Sequence, residues 1–173
     1  MNGYIGNDTI FGGSGEDALQ GGDGDDILSG GYDDDDLLGG YGDDIIIGGA
    51  GIDNLQGSEG NDTIDGATGE DIAEKDYLNG SEGNDHLIGN DGDIMTGGDD
   101  ADTFEITQGA VEVMDLTSED VIVINYNGDE PRLTTEITPT GVSLLADDTP
   151  VATLHGLTSF DVSLVQLVPA STV

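Results

Sequence analysis

Cysteine and tryptophan are absent from this chain of 173 residues, lysine and arginine together occur twice, as Lys75 and Arg132, and aromatic residues make up 5%. Without a thiol there is no disulfide framework and no thiolate site for zinc or an iron–sulfur cluster. That leaves the compartment open, because secreted proteins need not carry disulfides. Two cations cannot form the basic cluster that phosphate binding requires, so nucleic acid is excluded as a partner and an anionic membrane surface is disfavoured. No apolar run approaches the ~20 residues of a membrane span. The opening "MNGYIGNDTIFGG" has neither the charged nor the apolar region of a cleavable signal, so export, if it occurs, is expected to follow another route.

What the chain does contain is acid. Thirty-eight Asp and Glu residues give a formal charge of -36, and Asp33 to Asp36 stand consecutively in "GGYDDDDLLGG". Unit charges roughly 5 Å apart repel by about 1 kcal/mol in water and by several times that where partly buried. Composition alone fits either an acidic disordered segment or a fold that depends on cations.

Periodicity separates the two. From Gly3 the chain divides into nine-residue units such as "GGSGEDALQ", "GGDGDDILS", "GGYGDDIII" and "GSEGNDTID". An eighth unit is expanded by five residues at Ile72 to Asp76, a tenth is one residue short, and eleven units end at Glu105. The first position is always glycine: Gly3, Gly12, Gly21, Gly30, Gly39, Gly48, Gly57, Gly66, Gly80, Gly89 and Gly97. Such uniformity calls for a positive φ or a very close approach of backbone. The fourth position is glycine except at Asp33 and Asp100, and aspartate tolerates the left-handed region better than most residues. The sixth is aspartate throughout: Asp8, Asp17, Asp26, Asp35, Asp44, Asp53, Asp62, Asp71, Asp85, Asp93 and Asp102, with Asp76 as a second candidate in the expanded unit. The eighth is apolar, from Ile10 and Leu19 to Met95 and Phe104.

This pattern predicts a six-residue turn followed by a three-residue strand whose middle side chain points inward. One unit cannot bury its single apolar residue, so units must stack. With two units per coil, equivalent turns lie about 4.8 Å apart, the spacing of neighbouring strands. Each aspartate then sits over the one two units away, an arrangement that is repulsive without a cation and chelating with one. Calcium suits it best, because it accepts six to eight oxygens with loose angular demands, and glycine turns expose carbonyls beside the carboxylates. Magnesium wants a stricter octahedron, and transition metals want nitrogen or sulfur. The EF-hand loop pattern is absent.

The motif "GGxGxDxUx", U being apolar, resembles the nonapeptide repeat of the RTX calcium-binding family. That resemblance implies an all-β, right-handed parallel β-roll with two nonapeptides per coil, rows of calcium ions on both edges, and disorder without calcium. Carried onto this sequence, the metal site residues are the sixth-position aspartates together with Gly12, Gly15, Gly21, Gly24, Gly30, Gly39, Gly42, Gly48, Gly51, Gly57 and Gly60. Pairing each unit with the next but one allows up to about nine calcium ions, with the last four units the least regular.

Residues 106–173 lose the period, and 28 of the 38 acids precede them. Runs such as "VIVINY", "RLTTEIT", "VSLLA" and "VSLVQLV" predict five or six antiparallel strands, including a hairpin with a four-residue loop in "VSLLADDTPVATLH". Their expected role is a cap over the end of the stack, with residues 1–105 forming the roll. A cap of this kind resembles those of type I secreted proteins, where export information lies near the C-terminus, and implies an extracellular location.

Other residues read more plainly. Asp23, Asp25, Asp34, Asp43 and Asp99 occupy variable turn positions and are expected to tune affinity and solubility. Ile27, Leu38, Ile45 and Ile47 face outward, either as scattered apolar residues or as a surface for self-association. His86 and His155 are read as structural, and Lys75 as a solvated loop charge. No nucleophile with an ordered base and no hydrolase motif occurs, so the chain is expected not to be an enzyme itself, although it can be the accessory module of a parent enzyme.

Overall fold

The computed structural model describes residues 1–66 and 74–170. A first strand, β1 Asn2–Ile5, is followed by one strand from each of the eleven repeats: β2 Thr9–Ser14, β3 Ala18–Asp23, β4 Ile27–Tyr32, β5 Asp36–Tyr41, β6 Ile45–Ala50, β7 Asn54–Glu59, β8 Thr63–Asp65, β9 Tyr77–Glu82, β10 His86–Gly89, β11 Ile94–Asp99 and β12 Thr103–Ile106. Odd strands pair in parallel in one sheet and even strands in a second, so two units make one coil.

Burial along a strand explains why these residues form it. In β3, Leu19 and Gly21 are buried while Ala18 and Gln20 face out, the alternation of a half-buried strand. Coils stack in register, Leu19 against Leu37, Leu37 against Leu55 and Leu55 against Leu78. Across the core, Leu28, Ile46, Ile64, Leu87 and Phe104 form the matching ladder. Most repeat strands run to six residues rather than the expected three, because pairing continues through the glycines, as in Gly22 with Gly40 and Gly31 with Gly49. The turn proper is therefore only positions four to six.

The parallel sheets do not stop at Glu105. Strands β13 Val111–Val113 and β14 Val121–Tyr126 pair in parallel with β11 and β12. Where β13 is too short to reach, the Asp115 carboxylate accepts the N–H groups of Gly97 at 3.0 Å and Gly98 at 2.9 Å. The antiparallel expectation holds for β15 Leu133–Ile137, β16 Gly141–Ala146 and β17 Thr149–His155. By contrast, β17 also pairs in parallel with β13, and the last strand, β18 Val165–Pro169, with β14. The hairpin between β16 and β17 turns on two residues, not four, because Asp147 and Asp148 both adopt positive φ, 48° and 63°, as a tight two-residue hairpin requires. Phe104, Val113, Ile122, Leu144 and Leu154 belong to the same buried cluster as the repeat leucines.

The few basic groups lie toward this end. His86 Nε2 is 2.8 Å from Glu105 Oε2, and His155 Nε2 is 3.1 Å from Glu112 Oε2. Lys75, expected as a free loop charge, lies 3.9 Å from Glu112 and 5.8 Å from the centroid of the Tyr77 ring.

Candidate metal centre

Turns lie along two edges of the roll, and the sixth-position aspartates form a column on each. One edge carries Asp8, Asp26, Asp44, Asp62, Asp85 and Asp102, and the other carries Asp17, Asp35, Asp53, Asp76 and Asp93. Beyond the first member of each column, every carboxylate uses Oδ1 to accept the backbone N–H of the aspartate one coil earlier. These bonds span 2.7–2.9 Å, from Asp8 N–H to Asp26 Oδ1 through Asp85 N–H to Asp102 Oδ1 on the first edge. The second edge repeats the scheme from Asp17 N–H to Asp35 Oδ1 onward. Asp53 N–H reaches Asp76 at 2.8 Å, so Asp76 fills the column in the expanded unit; Asp71 lies outside the described residues. Asp120 extends the first edge by one member beyond the repeats, accepting the Asp102 N–H at 3.0 Å. The signal for it was in the sequence, since "DVIV" keeps the Asp-x-apolar-x order after the glycines are gone.

The second oxygen of these groups has no such partner. Oδ2 of Asp8, Asp26, Asp35, Asp44, Asp53, Asp62, Asp85 and Asp102 is buried and accepts no hydrogen bond among the described residues. Two ends of the columns differ: Asp93 Oδ2 accepts Asn90 N–H, and Asp120 Oδ2 accepts Thr117 N–H, both at 2.7 Å. A buried carboxylate oxygen without a partner carries a large desolvation penalty, which a cation can remove.

The glycine columns create the space. A Cβ placed on Gly12, Gly21, Gly30, Gly39, Gly48 or Gly57 would come inside 3.0 Å of Oδ2 of Asp17, Asp26, Asp35, Asp44, Asp53 or Asp62 respectively. Close approach, and not a left-handed backbone, is thus what the first position demands. The left-handed residue is the second one, and Tyr4, Ser58 and Ser81 hold φ of 77°, 99° and 91° there. At the fourth position Gly15, Gly24, Gly42, Gly51 and Gly60 are also left-handed, and Asp33 and Asp100 share a φ of 75°. A Cβ on Gly24, Gly42 or Gly60 would strike the carbonyl oxygen of Gly6, Gly24 or Gly42. Those carbonyls therefore point along the stack, and they accept no hydrogen bond among the described residues.

The first edge also has a ladder that the sequence did not reveal. Backbone N–H groups of Asp25, Asp43, Asn61, Asn84 and Ala101 donate to the side-chain oxygens of Asn7, Asp25, Asp43, Asn61 and Asn84, at 2.8–3.2 Å. Asp25 and Asp43 thereby bind coil to coil.

Electrostatics make the columns costly places for negative charge. Burial, reinforced by neighbouring carboxylates, pushes Asp44 and Asp53 up to about 6 and Asp62, Asp76 and Asp102 up to about 7. Asp35, Asp85 and Asp93 are raised for the same first reason. Among the described residues no three acidic or histidine side chains converge on one point. A cation here must take much of its shell from backbone carbonyls, which selects a hard ion with a large, flexible coordination sphere.

Residues 2–37, 38–73 and 73–104 match the RTX calcium-binding nonapeptide repeat. The chain belongs to that family. No curated protein and no solved structure gives a match. The RTX repeats here are calcium-binding and form the parallel roll described above; the roll is a structural domain and not itself catalytic. No helix among the described residues is long and apolar enough to cross a membrane.

Proposed function

We propose that this chain is a calcium-responsive folding module of a secreted protein, in which residues 1–105 take up the ions and residues 106–173 close the stack. The observation that carries this reading is the row of buried, unpartnered Oδ2 atoms, each beside a glycine whose lack of a side chain leaves room for it. The proposed ligands are the carboxylates of Asp8, Asp17, Asp26, Asp35, Asp44, Asp53, Asp62, Asp76, Asp85 and Asp102 with carbonyls of the glycine-rich turns, for up to about nine ions. Without the ions, the charge of -36 and the burial of so many acids favour the unfolded chain; a ligand that binds only the folded state reverses the balance. Low calcium inside a cell then leaves the chain extended for export, and high calcium outside folds it. Export information near the C-terminus and a parent enzyme or surface protein belong to the same proposal.

The test is far-UV circular dichroism of the EDTA-treated chain during calcium titration, with magnesium as control. A cooperative gain of β-structure specific to calcium is expected. A chain already folded in EDTA, or one that folds equally well with magnesium, would sink the reading.

A further inference from the structure

The two edges are not equivalent, and the difference centres on Asp33. On the first edge, fourth-position N–H groups donate to a backbone carbonyl one coil on: Gly6 to Asp23, Gly24 to Tyr41, Gly42 to Glu59 and Gly60 to Glu82, at 2.7–3.0 Å. On the second edge Gly92 N–H keeps such an acceptor, the Ala110 carbonyl at 2.9 Å, but Gly15 N–H donates instead to the Asp33 carboxylate at 3.0 Å, and Gly51 N–H to that of Glu74 at 2.7 Å. At the first of these intervals the Tyr32 carbonyl, counterpart of the Asp23 and Tyr41 carbonyls, is thereby released from accepting the glycine N–H.

Among the fully described turns, the Gly15–Asp33 interval is also the most acidic. Glu16, Asp17, Asp33, Asp34 and Asp35 all belong to its two turns, whereas the corresponding turns at Asn61–Asp62 and Asn84–Asp85 contribute two acids. Gly15, Glu16, Asp33 and Asp34 line a hollow of about 300 Å³ at its mouth. Inside, the Asp35 side chain is 3% exposed with Oδ2 unpartnered. An aspartate held at a φ of 75°, where glycine is the usual residue of this column, carries backbone strain that its carboxylate must offset.

Resting on the calcium reading above, we infer that the interval between the Gly15–Asp17 and Asp33–Asp35 turns is the tightest calcium site of the roll. Affinity of oxygen-ligand sites rises with ligand charge. One added carboxylate about 5 Å from a divalent ion strengthens binding by about tenfold even at the dielectric constant of water.

Asp100 supplies the internal control. It has the same residue type, the same column and the same φ, but it sits on the first edge beside Ala101, whose N–H goes to Asn84 Oδ1 at 3.2 Å, and no described side-chain bond brings an N–H of the preceding coil to its carboxylate. The experiment mixes the calcium-saturated full chain with excess fluorescent chelator and follows ion release by stopped flow, with circular dichroism to confirm that each variant starts folded. Wild type should show a slowest phase of about one ion. Asp33→Gly should accelerate that phase about tenfold, while Asp100→Gly leaves it unchanged. Both substitutions relieve the same backbone strain, so a general loosening of the roll would move them together. An unchanged slow phase in Asp33→Gly, or equal acceleration in Asp100→Gly, overturns the assignment. A wild-type chain that carries no calcium to release overturns the calcium reading itself.

Discussion

Replacing Asp62 with asparagine separates the two roles of the buried column, because it should move stability in opposite directions with and without calcium. The amide keeps Oδ1, which accepts the Asp44 N–H at 2.8 Å, and the fit beside Gly57 changes little. It leaves a buried NH2 group unpaired where the carboxylate left a buried oxygen unpaired, so much of those costs cancels. What disappears is charge. Burial raises the Asp62 pKa from 3.8 to about 7, so the folded, ion-free chain is favoured by protonation and loses that stability as pH rises through about 7. At pH 8 the full penalty applies, about 4 kcal/mol at 1.36 kcal/mol per pH unit, or about 2 if the neighbouring turns relax. Asp62→Asn should therefore fold at a lower trimethylamine N-oxide concentration than wild type in EDTA at pH 8, followed by far-UV circular dichroism. In the absence of osmolyte it should need more calcium to fold, having lost a charged ligand. A simple packing lesion would weaken both. If the variant is harder to fold in EDTA than wild type, desolvated charge is not what holds the ion-free chain open.

The same sign governs pH: in EDTA, lowering the pH from 8 toward 5.5 should increase β-structure, because Asp44, Asp53, Asp62, Asp76 and Asp102 protonate in that window, and a flat ellipticity across it would contradict the burial argument. Gly39→Ala places a methyl group inside 3.0 Å of Asp44 Oδ2 and of the Gly57 carbonyl, so it should cost more than about 2 kcal/mol in urea unfolding with calcium present and raise the calcium midpoint. Leu55→Ala empties a fully buried position between Leu37 and Leu78 and should cost about 2–5 kcal/mol in the same assay, without altering the preference for calcium over magnesium.

Columns that repeat one chemistry were legible in the sequence because each position does one job: glycine leaves room, aspartate turns in, and leucine or isoleucine fills the core. The calcium-binding character followed from them. The fifth position hid its role, since asparagine and aspartate serve equally as acceptors for the next coil and no single residue type marks the ladder. The partner lies 17, 18 or 23 residues away, beyond the reach of local reasoning. The boundary at Glu105 was drawn where glycine stops, but strand pairing depends on backbone and on inward residues such as Val113 and Ile122, which continue without it. Strand length was underestimated because glycine normally interrupts a strand, whereas here the stacked glycines pair with one another.

Coil length itself is unconstrained. From Asp53 to Asp76 and from Asp62 to Asp85 the step is 23 residues instead of 18, yet the aspartate bonds are 2.8 Å and the leucine ladder is continuous. Pairing requires only that an Asp-x-apolar segment return to its slot, and the path taken between slots is free to vary. Such a scaffold can gain new loops by insertion without renegotiating its core.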